Sequence, residues 1–301
     1  MRIAFMGTPS FAVTSLERLY ADGHEIAAVF TQPDKPRNRG MKLTYSPVKE
    51  TAIPRGATIY QPTTLKDADA LAALSELRCD IIIVVAYGKL LPRVILEMPP
   101  YGCINIHASL LPKYRGAAPV QWAVLNGESE TGVTAMCMDE ALDKGDILST
   151  KKTPIGDDET ADELYNRLSI LGADLLSETI TAITNGEATR KPQDHAAATY
   201  APPLKKEMSP IDWTDTAQNI KNKVRGLTPW PNATATIYGA TMKILAVETR
   251  ASKTANRPGE IVAAGKSGIE VACADGTVVV KEVQPPGGKR MSAAAYLRGH
   301  R

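Results

Sequence analysis

Arg2-Ile-Ala-Phe-Met6, followed by Gly7-Thr8-Pro9-Ser10, is the stretch that decides the fold of this 301-residue chain. The first part is mostly apolar and strand-like, and the second part consists of turn formers. A helical stretch comes next, with Leu16 and Leu19 on one face. This order predicts a strand, a turn and a helix, which together open an α/β fold.

Further apolar runs alternate with helical segments beyond this opening. Strands are predicted at 26–31, 81–86, 102–107, 131–138 and 147–153, with helices at 67–77 and 160–185. The run at 81–86 is rich in β-branched residues, as is typical of a strand buried on both faces of a parallel sheet. Thr160 and Glu163 have the spacing of a capping box at the start of the long helix. The alternation predicts a Rossmann-like, doubly wound α/β domain.

The composition of the chain changes after residue 189. Residues 190–206 are polar and Pro-rich and lack apolar periodicity, which predicts a linker. Short β-prone runs follow at 233–238, 241–247, 269–272 and 277–283, with turn signals such as Asp275-Gly276 between them. We therefore expect a catalytic domain at 1–189, a linker at 190–206 and a small OB-like β-barrel domain at 207–301.

Charge is divided unevenly between these parts. The whole chain has a formal charge of +2, from 35 Lys and Arg against 33 Asp and Glu. Residues 1–206 hold 22 basic and 25 acidic side chains and residues 207–301 hold 13 and 8, so the two parts carry −3 and +5. A basic β-barrel is typical of a nucleic-acid-binding module, although a solvated basic surface would have the same composition.

Several common classes of site are not indicated. The four cysteines form no CxxC pair and have no histidine at metal-ligand spacing, so no metal site is predicted. Only Gly7 is present where a dinucleotide fingerprint needs three glycines, and P-loop, HExxH and GxSxG motifs are absent. The longest apolar run, 81–86, is too short for a membrane span, and the N-terminus has no signal-peptide pattern. A cytoplasmic protein is expected.

Polar side chains concentrate where the strand at 102–107 ends. Asn105 and His107 lie two residues apart and therefore point to the same side of that strand. At the carboxyl end of a parallel strand, this side faces the crevice in which α/β proteins bind ligands. A carboxamide and an imidazole can stabilise an oxyanion, and the imidazole can also move a proton. A capping Asn and a core His would fit the same pattern, so both interpretations stay open on these two residues alone.

Longer motifs surround this pair. The segment continues as Asn105-Ile-His107-Ala-Ser109-Leu-Leu-Pro112-Lys-Tyr-Arg115-Gly116, and Met138-Asp-Glu-Ala-Leu-Asp143 lies further along the chain. The other motifs are Phe30-Thr-Gln-Pro-Asp34, Ser46-Pro-Val-Lys49, Val85-Ala-Tyr-Gly88 and Gly226-Leu-Thr-Pro-Trp-Pro231. Together they resemble the formyltransferase family that uses 10-formyltetrahydrofolate, over essentially the full chain, and most closely those members that formylate initiator methionyl-tRNA.

The resemblance implies that Asn105, His107 and Asp143 are catalytic. In formyl transfer, the α-amine of the aminoacyl ester attacks the formyl carbon on N10 of the folate, and the tetrahedral oxyanion collapses with loss of the folate amine. Asn105 and protonated His107 would stabilise the oxyanion, while Asp143 would pair with His107 or order a water. The implied product is N-formylmethionyl-tRNA for translation initiation.

The same resemblance implies which residues bind the donor, 10-formyltetrahydrofolate. Loop backbone suits a flat heterocycle with alternating donors and acceptors. Leu110 and Leu111 would also fit plain core packing, and Arg115 could serve substrate, cofactor or an internal ion pair. The implied donor-binding residues are Ser109, Leu110, Leu111, Pro112, Tyr87, Gly88, Leu90 and Asp139.

The loop at 34–42 is implied to enter the acceptor-stem region of the tRNA. Arg39 occupies the position of an arginine implicated there, and Lys35, Arg37 and Lys42 add positive charge for phosphates. The family's usual Gly-Arg-Gly-Lys is Asn38-Arg-Gly-Met41 here, so one basic residue and one flexible hinge are missing. Trp213 and Trp230 are interpreted as core residues of the second domain, with a stacking platform for bases as the alternative.

Two rival functions stay open at this point. The chain could formylate a small-molecule amine, with the barrel as a scaffold, or it could be a non-catalytic RNA-binding protein. Intact Asn105, His107 and Asp143 argue against the second rival. The expected form is a monomer without a membrane partner.

Overall fold

The structure is a computed structural model that describes residues 1–37, 42–251 and 255–299. The chain divides into two compact units, one of residues 1–116, 130–154 and 165–201 and one of residues 117–129, 155–164 and 202–301. In chain order, the helices and strands are β1 (Arg2–Gly7), α1 (Ser10–Ala21), β2 (Glu25–Phe30), β3 (Lys35–Arg37), β4 (Lys42–Thr44), α2 (Pro47–Ala52), β5 (Ile59–Tyr60), α3 (Ala68–Glu76), β6 (Ile81–Val85), α4 (Arg93–Leu96), β7 (Cys103–His107), β8 (Arg115–Gly116), α5 (Pro119–Leu125), β9 (Glu130–Cys137), β10 (Ile147–Pro154), α6 (Ala161–Thr184), β11 (Tyr200–Ala201), α7 (Ala217–Gly226), β12 (Ala233–Ile237), β13 (Ala240–Arg250), β14 (Ile261–Gly265), β15 (Gly268–Ala272), β16 (Thr277–Gln284), β17 (Met291–Ser292) and α8 (Ala293–Gly299).

The first unit is built on a seven-stranded sheet in the order β10-β9-β7-β6-β1-β2-β5. Five strands, from β7 to β5 in this order, pair in parallel, whereas β9 is antiparallel to β7 and β10 is antiparallel to β9. All five residues of β6 are buried, as expected for a central strand of a parallel sheet. The Rossmann-like class is confirmed, with an antiparallel edge that apolar periodicity does not predict.

Gly7 lets the first strand pass close to the first helix. A Cβ on this residue would lie 2.8 Å from the Cβ of Ala12 and 3.0 Å from the carbonyl oxygen of Val85. α1 starts three residues later and buries Phe11, Leu16 and Leu19. The single glycine of this turn therefore serves helix and strand packing, which is one of the glycine roles in the dinucleotide fingerprint.

The long helix α6 begins with the capping box that the sequence predicts. Thr160 Oγ1 accepts a hydrogen bond from the backbone N–H of Glu163 at 3.3 Å, and Glu163 Oε2 accepts one from the backbone N–H of Thr160 at 2.9 Å. Both bonds satisfy N–H groups that a helix start leaves without partners.

The second unit contains an antiparallel sheet in the order β12-β13-β16-β15-β14, with β17 paired to β16. One apolar cluster, which includes Ile220 and Val224 of α7 and Ile244 of β13, forms its core. Arg225 is buried, and it donates hydrogen bonds to the backbone oxygens of Gly156 and Glu159 at 2.9 and 3.3 Å. These bonds attach the segment 155–164 to α7. The expectation of a second, β-rich domain is confirmed.

Candidate active site

Asn105 and His107 lie on β7, the strand of the parallel set that is next to the antiparallel edge. β7 pairs with β6 on one side and with β9 on the other. Both side chains are buried, with 8% and 6% of their surface exposed. Among the described residues, none forms a hydrogen bond with the carboxamide of Asn105. The predicted pair therefore ends a strand at the carboxyl edge of the parallel set, where α/β proteins bind ligands.

The hydrogen bonds of His107 fix the roles of its two ring nitrogens. Nε2 lies 2.9 Å from the carbonyl oxygen of Tyr114. Because a carbonyl oxygen only accepts, Nε2 must carry a proton. Tyr114 has a left-handed backbone, with φ of 59°, and its own N–H donates to Thr199 Oγ1 at 2.8 Å. The nitrogen left to exchange a proton with a substrate is therefore Nδ1.

Asp143 faces that nitrogen. Its Oδ2 lies 3.8 Å from His107 Nδ1 and accepts a hydrogen bond from the backbone N–H of Gly116 at 2.9 Å. The side chain of Asp143 is 11% exposed, in the turn that joins β9 to β10. Two segments of the first unit thus carry the three residues that the resemblance implies are catalytic: β7 carries Asn105 and His107, and the turn between β9 and β10 carries Asp143.

The segment Ser109–Pro112 follows β7 directly, and part of it is committed to internal contacts. Ser109 is fully buried, and its hydroxyl donates to the carbonyl oxygen of Lys113 at 2.6 Å. Leu111 is 6% exposed, and its N–H donates to Thr134 Oγ1 at 3.2 Å. Leu110 and Pro112 are half-buried. The side chains available to a ligand here are Leu110 and Pro112, while Ser109 and Leu111 have structural contacts.

The remaining residues predicted to bind the donor lie in two loops of the same unit. Gly88 and Leu90 follow β6 and are exposed, and Asp139 follows β9 and is exposed as well. The side chain of Tyr87, by contrast, is 1% exposed and belongs to the apolar core. Its carbonyl oxygen accepts a hydrogen bond from Gln32 Nε2 at 3.0 Å. Tyr87 can therefore contribute only its backbone to a ligand site.

The residues predicted to contact tRNA lie around a gap in the described chain. Arg39 lies outside the described residues. The backbones of Lys35 and Arg37 form β3, which pairs in antiparallel fashion with β4, where Lys42 lies. Asp34, just before β3, forms an ion pair of 2.5 Å with Lys49, which lowers the pKa of the Asp34 carboxyl group. This ion pair therefore joins the residue just before β3 to α2, the helix that follows β4.

The two tryptophans of the second unit differ in their surroundings. Trp213 packs against the apolar core of that unit, as predicted. Trp230 is 51% exposed, so the interpretation of this residue as a core residue is wrong. The turn that presents it is held by Asn232, whose N–H donates to the carbonyl oxygen of Leu227 at 2.9 Å.

Sequence reasoning missed one residue that contacts the site, Gln193. It lies in the stretch predicted as a linker, where composition gives no signal for a buried side chain, yet it is 6% exposed. Its carboxamide hydrogen-bonds to Arg115 on one side and to the turn that carries Asp143 on the other. Arg115, for which three roles were open, is 7% exposed and engaged in internal hydrogen bonds.

Two kinds of feature are absent from the described part of the chain. No group of three or more His, Cys, Asp or Glu side chains within residues 1–37, 42–251 and 255–299 is arranged to hold a metal ion. Over those same ranges, no helix has the length and apolar character needed to cross a membrane.

Comparisons with known proteins match the whole chain. A family model described as formyl transferase matches residues 1–180, and one described as formyl transferase, C-terminal domain, matches residues 203–301. Proteins named methionyl-tRNA formyltransferase are similar to it. The one from Moorella thermoacetica is 50% identical over 300 residues, which is 100% of this chain and 96% of that protein. The one from Alkaliphilus oremlandii is 48% identical over 300 residues, with 100% and 97% covered.

Two solved structures share the fold. An N-formyltransferase from Helicobacter canadensis, in complex with folinic acid and dTDP-3-aminofucose, has a TM-score of 0.69 at 20% identity, over 92% of this chain and 98% of that one. HypX from Aquifex aeolicus, in complex with tetrahydrofolic acid, has a TM-score of 0.66 at 18% identity, over 99% of this chain and 47% of that one. At 18% and 20% identity, the similarity shows only that the fold is shared.

Proposed function

Because this chain belongs to the formyl transferase family, we propose that it transfers the formyl group of 10-formyltetrahydrofolate to the α-amino group of initiator methionyl-tRNA. The product would be N-formylmethionyl-tRNA for translation initiation. Relatives with this name match the full chain at 45–50% identity. The observation that carries the proposal is the placement of His107 Nδ1 opposite the carboxylate of Asp143, beside the carboxamide of Asn105 at the end of β7.

In the proposed reaction, the methionyl α-amine forms a new bond to the formyl carbon and the bond from that carbon to N10 of the folate breaks. The tetrahedral intermediate carries a negative oxygen between these events. The Asn105 carboxamide and the protonated Nδ1 of His107 supply hydrogen-bond donors to this oxygen. Since Nε2 of His107 is bonded to the carbonyl oxygen of Tyr114, the ring is held in place while Nδ1 acts.

Asp143 has two tasks in this mechanism. Its charge, 3.8 Å from Nδ1, stabilises the imidazolium form of His107. After the new bond forms, the proton that the attacking nitrogen must lose passes through this pair toward N10, which leaves as a neutral amine. The hydrogen bond from the Gly116 N–H holds the carboxylate in position, so that it does not turn away from the ring.

We propose that the folate occupies the space between the loops after β6, β7 and β9. Exposed Leu90 and Leu142 offer apolar surface there, with 61% and 45% of their surfaces accessible. The exposed backbones at Gly88 and Asp139 can bond a pterin ring. Ser109, Leu111 and Tyr87 shape this site through their backbones, because their side chains have internal contacts.

We further propose that tRNA binds through the basic loop and through the second domain. The loop at 34–42 contains Lys35, Arg37, Arg39 and Lys42, and residues 207–301 carry an excess of five positive charges. The proposed domains are 1–189 and 207–301, joined by 190–206, in keeping with family matches at 1–180 and 203–301. The proposed working form is a cytoplasmic monomer that needs no metal.

The experiment that tests this function is incubation of the purified chain with 10-formyltetrahydrofolate and initiator tRNA charged with methionine. We expect formyl label to appear on the α-amine of the methionyl ester, and none to appear with uncharged tRNA. An amino sugar nucleotide serves as the competing acceptor. Formylation of that small amine, with no product on methionyl-tRNA, would favour the rival function.

A further inference from the structure

The turn that carries Asp143 is held from outside by the side chain of Gln193. The backbone of Asp143 is left-handed, with φ of 52°, a conformation that is uncommon for residues other than glycine, although Asp adopts it more readily than most. Gln193 Nε2 donates to the carbonyl oxygen of Asp143 at 3.0 Å and to that of Gly145 at 2.7 Å. One amide group thus binds two backbone carbonyls of this turn, that of Asp143 itself and that of Gly145.

Arg115 fixes the orientation of that amide. Its Nε and Nη2 lie 3.2 and 2.6 Å from Gln193 Oε1. A guanidinium group only donates, so the oxygen of the Gln193 carboxamide must face Arg115 and its nitrogen must face the two carbonyls. The same Nη2 lies 3.0 Å from His195 Nδ1, which therefore accepts. The amide of Gln193 has one orientation that satisfies all its partners.

Arg115 and Gly116, the two residues of β8, hold two different atoms of Asp143, its backbone carbonyl oxygen and its carboxylate oxygen Oδ2. The backbone N–H of Gly116 binds the carboxylate oxygen Oδ2 at 2.9 Å. The side chain of Arg115 acts through Gln193 on the backbone carbonyl of the same residue. The two contacts together constrain where the carboxylate of Asp143 lies and where it points. Among the described residues, Gln193 alone connects Arg115 to the backbone carbonyl of Asp143.

We propose that Gln193, oriented by Arg115, is a positioning residue that sets the carboxylate of Asp143 against Nδ1 of His107. This inference rests on the catalytic role proposed above for Asp143. Gln193 touches neither substrate nor the reacting atoms. Its effect passes through the turn at 139–146, so its loss changes the chemical step without changing the binding of either substrate.

The test is the variant Gln193→Glu, assayed for formylation of initiator methionyl-tRNA. A glutamate keeps the size of the side chain and its bond to Arg115, but an ionised carboxylate cannot donate to the carbonyls of Asp143 and Gly145. We expect kcat to fall by about tenfold to a hundredfold, because small misplacements of a catalytic group have effects of this size. KM for both substrates should stay within about twofold of wild type.

A double-mutant cycle separates positioning from general damage. If Gln193 acts through the Asp143 carboxylate, Gln193→Glu should cause little further loss in an Asp143→Asn background. Multiplicative losses in the double variant would overturn the inference, and so would a kcat of Gln193→Glu equal to that of wild type. Asn185→Asp is the matched control, because it removes an amide donor in the first unit just after α6, where Asn185 Nδ2 lies 3.5 Å from Glu187 Oε2. It should leave kcat unchanged.

A measurement of folding and the activity of the parent proteins keep the outcomes distinct. Thermal unfolding shows whether Gln193→Glu is folded, and if it is not, Gln193→Met, which keeps the length but forms neither bond, replaces it with the same expected results. A wild-type chain without formyl transfer would reject the proposed function and this role with it. An active wild type whose Asp143→Asn variant is impaired, beside an unimpaired Gln193 variant, would reject the positioning role alone.

Discussion

At the scale of single residues, Tyr87 carries one of the buried hydroxyl groups of the first unit that have no partner among the described residues. Its side chain is 1% exposed, and its hydroxyl is buried without a hydrogen-bond partner among the described residues. Burial raises the pKa of this tyrosine to about 12. A buried hydroxyl without a partner costs about 1–3 kcal/mol relative to a satisfied one. Tyr87→Phe should therefore leave the free energy of unfolding unchanged or raise it by about 1 kcal/mol at neutral pH.

The same residue gives a prediction for alkaline pH. In the folded chain, the pKa of Tyr87 lies above the ordinary value of 10.0, so its contribution to stability is complete below about pH 10 and is lost as the pH rises toward 12. The phenylalanine of the Tyr87→Phe variant cannot ionise. Denaturant unfolding of both proteins at pH 8 and near pH 11 should show that wild type loses more stability than the variant. An equal loss in both would contradict the burial of this hydroxyl.

At the scale of elements, the start of α6 depends on two side chains. Thr160 and Glu163 satisfy each other's backbone N–H groups, and the helix behind them is 24 residues long. Thr160→Ala removes the cap and should lower the free energy of unfolding by about 1 kcal/mol. Thr181→Ala, in the body of the same helix, is the matched control and should change stability by less than about 0.5 kcal/mol. Denaturant unfolding measures both, and similar losses would show that the cap contributes nothing.

The lengths of the helices and strands explain which parts of the fold can be predicted from the sequence. β6 is five apolar residues in a row and α6 has apolar residues at helical spacing, so both follow from the sequence. β5, β8 and β11 have two residues each, too few for any periodicity, and they form only because neighbouring strands offer partners. The antiparallel direction of β10 follows from its short connection to β9, which alternation of side chains does not reveal.

The candidate site likewise contains residues that can be predicted from the sequence and one that cannot. Asn105 and His107 follow from strand periodicity, and Asp143 follows from a resemblance of motifs. Gln193 could not be predicted, because its segment has no periodicity and its contacts depend on how the chain returns to β8 after α6. Local patterns give the residues on regular elements, while the residues that support them come from tertiary contacts.

At the scale of the whole molecule, the near-neutral sum of charges conceals a difference between its parts. Residues 1–206 carry −3 and residues 207–301 carry +5. If the proposed tRNA binding neutralises about six phosphates, the logarithm of the association constant should fall with the logarithm of the salt concentration with a slope of about −5. Titration of methionyl-tRNA at several salt concentrations measures this slope. A slope near zero would show that the positive charge does not bind RNA phosphates.

The most direct test of the account is a single-turnover measurement of formyl transfer from 10-formyltetrahydrofolate to initiator methionyl-tRNA by wild type and by Asn105→Ala. Asn105 would supply one of the two donors to the oxyanion, so its loss should slow the chemical step on the order of 100-fold while both substrates still bind. Product formed at the wild-type rate by Asn105→Ala would contradict the assignment of the site.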